Sequence, residues 1–116
     1  MIGEIRTECY FAVLDKFKSK YPDAHFEIIT RKASSVLSPA WDLLDIVKRE
    51  HWSMEKYYPE LGKQFQRDPD ALALIKRLAD IARSGKTVYV VCYEKDASVC
   101  HRTYVKMLIE RELVKK

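Results

Sequence analysis

Apolar residues recur with two different periods along the chain, and the change of period marks out its elements. Between Ile5 and Tyr10, Ile5, Thr7 and Cys9 alternate with other residues and predict a strand, whereas Phe11, Leu14, Phe17 and Tyr21 follow helical spacing. Pro22-Asp23 breaks that helix. The run HFEIITR, His25 to Arg31, is β-branched and aromatic and predicts a second strand, followed by a loop at Lys32-Ala33-Ser34-Ser35. Ser38-Pro39 predicts a helix start, with the Ser38 hydroxyl as cap and Leu43, Leu44 and Val47 as the apolar stripe. Ser53 predicts the next cap, with Trp52 and Tyr57 spaced for a hydrophobic staple across it. Asp68-Pro69-Asp70 opens a further helix whose stripe is Leu72, Ile75, Leu78, Ala79 and Ala82, and Gly85 suits its C-terminal stop.

Thr87 to Tyr93 is apolar at both alternating sets of positions, so it predicts a central strand covered by helices on each face, as in a parallel sheet. A last helix is expected from about Ser98 to Val114, with Val105, Leu108 and Ile109 facing inward. Strands separated by helices predict an α/β fold, a single small domain over residues 1–116 with a short parallel or mixed sheet flanked by helices.

Composition narrows the function classes. At 116 residues the chain has the length of one domain and needs no disulfide staples. No apolar run approaches the roughly 18 residues of a membrane span. The start, MIGEIRTECY, carries acids and no apolar core of a signal peptide. Three cysteines, an odd number, therefore fit free thiols in a reducing, cytoplasmic setting. Twenty-one basic residues against seventeen acidic ones give +4, which suits an anionic partner but lacks the strong stripe of a dedicated nucleic-acid binder. The chain has no Asn, and Gln64 and Gln66 are its only side-chain amides.

The chemistry-bearing residues gather after the central strand, in Tyr93-Glu94-Lys95-Asp96-Ala97-Ser98-Val99-Cys100-His101-Arg102. In open α/β sheets ligands bind beyond the carboxyl ends of the strands, where helix N-termini present free amides. With Ser98 as cap, Cys100 falls in the first helical turn, where the helix dipole favours a thiolate. His101 can pair with that thiolate, Glu94 can act as acid or base, and Arg102 offers five donors to a phosphate or carboxylate. Arg31 and Lys32 end the second strand; if the strands are parallel, they converge with Arg102 on one edge as an anion site, with Lys95 close in sequence.

Each residue also has a plain structural reading. His101 lies one turn before Val105, on the apolar stripe, where a packed histidine with one satisfied ring nitrogen fits equally well. Cys9 and Cys92 read as core filling, and Arg102 as a partner of Glu94 or Asp96. A zinc site from Cys9, Cys92, Cys100 and His101 lacks the short cysteine spacing of a knuckle, so no metal is expected. With three glycines, no Walker loop or dinucleotide fingerprint is present. The aromatics Trp41, Trp52, Tyr57, Tyr58 and Phe65 have helical spacing and read as core.

The stretch VYVV followed by CYEKDASVCHR resembles the signature of the family called "domain of unknown function 488". ITRK is similar to that family's basic pair at a strand end, LSPAWDLL to its proline-started helix, and WSMEKYYPEL to its short middle helix. The family places a Ser directly after the helix-starting Pro, where this chain has Ala40. The resemblance implies a small intracellular α/β domain of prokaryotic type, with Arg31, Lys32, Tyr93, Glu94, Lys95, Cys100, His101 and Arg102 on the motif. It supplies no substrate, reaction or cofactor. Two function classes stay open: an enzyme-like site for an anionic, nucleotide-related small molecule, and a non-catalytic module that binds nucleic acid or phosphorylated ligands.

Overall fold

The computed structural model of the chain describes residues 2–30, 35–93 and 101–115. Three parallel strands, β1 (Ile5–Arg6), β2 (His25–Ile28) and β3 (Val88–Val91), form one sheet in the order β1-β3-β2. The expected central strand is thus central, and its four residues are buried. Val88 and Val90 face the larger core with Leu78, Ala82, Val105 and Ile109, while Tyr89 and Val91 face Cys9, Leu14 and Phe17. That two-sided burial is why β3 lacks polar alternation.

Around the sheet lie α1 (Leu14–Lys20, entered through a 3₁₀ turn at Phe11–Val13), α2 (Trp41–Arg49), α3 (Met54–Gln66), α4 (Pro69–Arg83) and α5 (Arg102–Leu113). The Ser53 Oγ accepts from the Lys56 amide, and the Asp68 Oδ1 accepts from the Asp70 amide with Pro69 at the first helical position, as the sequence predicts. Gly85 follows α4 with φ of 104°, a left-handed conformation that glycine adopts without strain.

Four expectations need correction. Residues 7–9 leave the ladder, so the first strand is two residues long and pairing resumes only at an isolated Tyr10–Cys92 bridge. Arg6 pairs with Tyr89 and Tyr10 with Cys92, so β1's side carries one extra residue between those points, a local bulge. Ser38 does not cap α2: its hydroxyl donates to the Ser35 carbonyl at 2.6 Å, and the N-cap is Ala40. Gln64 holds that entry instead, its Oε1 accepting from the Ala40 amide at 2.8 Å and its Nε2 donating to the Ser38 carbonyl at 2.9 Å. On α4 the buried stripe runs through Ala71, Ile75, Leu78, Ala79 and Ala82; Leu72, one position around the helix, is exposed. Trp41 is exposed too, whereas Tyr57 and Phe65 are buried and Trp52 and Tyr58 pack against the core. The last helix is described as Arg102–Leu113 with His101 at its N-cap, and the start expected at Ser98 lies outside the described residues.

Candidate functional site

Parallel pairing brings the carboxyl ends of all three strands to one edge, and two buried side chains from the start of α5 reach into it. His101 is 8% exposed, and its Nε2 lies 2.9 Å from the Ile29 carbonyl, one residue beyond β2. A carbonyl only accepts, so Nε2 carries the proton in this contact. In the neutral ring Nδ1 is then the acceptor, and it faces the Cys92 Sγ at 4.0 Å, immediately beyond β3. Arg102 is fully buried, and its Nε donates to the Thr7 carbonyl at 2.9 Å, just past β1. The bulge that removes Thr7 from the sheet frees that carbonyl, and Arg102 takes it. Two consecutive residues thus fasten α5 to the ends of β1 and β2.

The buried guanidinium acts on its surroundings. Cys9 is fully buried against Leu14, Tyr89 and Val91. Burial pushes its thiol pKa above the ordinary value, and the charges of Arg102 and Lys18 pull it partly back. Thr30 and Ser38 are the remaining buried polar residues of the described chain, both flanking the loop that follows β2.

Of the residues expected at the site, the structure places His101, Arg102 and Tyr93 together at this edge. Arg31, Lys32, Glu94, Lys95 and Cys100 lie outside the described residues, as does the expected Ser98 cap. Cys92 is buried as expected, but it is more than filling because its sulfur faces the imidazole. Sequence reasoning did not name Thr7 and Ile29, whose contribution is a main-chain oxygen that leaves no trace in residue type. It also did not name Gln64, although its status as one of two amides could have marked it. Among the described residues no group of three His, Cys, Asp or Glu side chains could hold a metal ion. No helix of the described chain is long and apolar enough to cross a membrane.

Neither a curated protein nor a solved structure matches the chain. A family model does, the one described as "Active DUF488-N3 subclade", and it covers residues 29–113. That span opens on the residue whose carbonyl receives the His101 proton and closes on the last residue of α5, taking in most of the chain. The chain belongs to the DUF488-N3a family.

Proposed function

We propose that the carboxyl edge of the sheet is a site for an anionic, nucleotide-related small molecule, with a cysteine available for covalent chemistry. The observation that carries this reading is the placement of a fully buried guanidinium beside a buried imidazole at the carboxyl ends of parallel strands. Such edges are where α/β sheets bind ligands, and a positive charge in a low-dielectric surround focuses its field on an approaching anion. In this reading Arg31, Lys32, Lys95 and Arg102 supply the positive potential, Cys100 is nucleophile or thiol ligand, and Glu94 or His101 moves the proton. The free thiols of Cys9 and Cys92 fit a reducing, cytoplasmic setting, and the family resemblance implies a prokaryotic one.

Alkylation of the intact protein with iodoacetamide, followed site by site across pH, tests the chemistry. Cys100 is expected to react below the ordinary thiol range near about 8.5, and a normal onset or no reaction removes it as nucleophile. A thermal-shift series with phosphate and nucleotides tests the binding.

A structural reading has its own support. The Nε2 proton of His101 and the Nε proton of Arg102 are both directed at main-chain carbonyls, as in a polar network that locks α5 to the sheet. On that reading substitutions at either residue cost stability, and no ligand raises the melting temperature.

A further inference from the structure

Two large aromatic rings stand open at the same edge. Phe11 and Tyr93 touch each other, with ring centroids 5.0 Å apart and planes tilted by 49°, yet each is 46% exposed. Most of the aromatics on this face of the sheet behave differently: Phe17, Phe26 and Tyr89 pack with Leu14 and Val91 in the smaller core. The open pair is also held in place. The Phe11 amide donates to the Cys92 carbonyl at 2.8 Å, and Tyr10 bridges to Cys92, so the Phe11 ring is tied to the residue that precedes Tyr93.

We infer that Phe11 and Tyr93 form a stacking shelf for the planar base of a nucleotide. The inference rests on the anion-site reading above and adds the substrate class to it. The Cys92 thiol facing His101 is one residue from Tyr93, and Thr7, which accepts from Arg102, is four residues from Phe11. A four-residue segment spans at most about 14 Å, so the backbone that carries the shelf and the backbone that receives the guanidinium are close neighbours at this edge. Every base offers a π face, so such a shelf favours nucleotides over bare phosphates without choosing strongly among bases; aromatic stacking is worth about tenfold or more in affinity.

Titration calorimetry on the whole chain with AMP, ribose phosphate and inorganic phosphate tests the shelf. AMP is expected to bind at least about tenfold tighter than ribose phosphate. Phe11→Leu and Tyr93→Leu, checked for folding by circular dichroism, each remove most of that advantage, and Phe11→Leu leaves ribose phosphate binding unchanged. Equal affinity for AMP and ribose phosphate, or an advantage that survives both substitutions, overturns the shelf and leaves the anion site standing. Binding of none of the three overturns both. Proton NMR of AMP with the unaltered protein gives a reading that needs no variant: stacking moves the base protons upfield, and unshifted base protons on bound AMP contradict the shelf.

Discussion

Arg6 ends β1, but its side chain lines a cavity at the amino ends of β2 and β3, where it pairs with Glu4 and Glu8 in the open, all three side chains at least 43% exposed; at the carboxyl end, Arg102 is fully buried and its Nε donates to a main-chain carbonyl. The amino end holds a cavity of about 640 Å³ lined by Arg6, Lys20, Tyr21, Lys86, Thr87 and Tyr89 among others. Surface ion pairs contribute little and re-form freely in water, whereas a desolvated guanidinium persists only where the fold supplies acceptors for it. The buried polar groups fastened by α5 are therefore at the carboxyl end, which is where the proposed site lies.

The sharpest way to break this contrast is to remove the buried cation. Arg102→Ala leaves the Thr7 carbonyl without its donor and empties a buried volume, and is expected to cost about 3 kcal/mol or more in urea denaturation. A loss no larger than that of a surface change would mean that the carboxyl end is not built around Arg102. His101→Phe keeps an aromatic ring, a somewhat larger one, but removes the donor to Ile29, and should cost about 2 kcal/mol. Gln64→Ala removes both bonds that hold the entry to α2, which water can partly replace, and should cost about 1 kcal/mol.

A smaller effect follows from protonation. Burial raises the pKa values of Cys9 and, at the other end of β3, Tyr89, where Tyr21 adds to the rise and Arg6 opposes it. The native state then keeps protons that the unfolded chain loses, so stability is intact below the unfolded thiol value of about 8.5 and falls as pH rises past it. Cys9→Ala should flatten the first part of that alkaline decline in urea denaturation followed by pH; a steeper decline would contradict the assignment. At the bottom of the scale, Arg6→Ala should leave the melting temperature unchanged, and a clear drop would erase the contrast between the two ends.

The unbroken apolar run from Val88 to Val91 made the central strand and the two-faced sheet legible, and cap residues at Ser53 and Asp68 placed two helices correctly. The resemblance to the DUF488 family is borne out by the match over residues 29–113. Tertiary bonds account for the misplaced ends at β1 and α2. Periodicity cannot register that Arg102 would claim the Thr7 carbonyl, nor that Gln64, far along the chain, would hold the approach to α2 in place of a local cap. The stripe on α4 slipped by one residue because Leu72 is the more apolar neighbour of Ala71, yet close helix packing buries the smaller side chain and leaves the larger at the rim. At the site, side-chain chemistry pointed to His101 and Arg102, but the acceptors of their Nε2 and Nε protons are backbone oxygens of Ile29 and Thr7, which no residue type announces.

Amide chemical-shift mapping by NMR, with AMP added to the intact protein, addresses the contrast between the two ends directly. Perturbations should gather at Thr7, Phe11, Cys92, Tyr93, His101 and Arg102, with Tyr21, Lys86 and Thr87 at the amino-end cavity left in place. Shifts confined to the amino-end cavity, or none at saturating AMP, would contradict the assignment of the carboxyl edge as the functional end of the molecule.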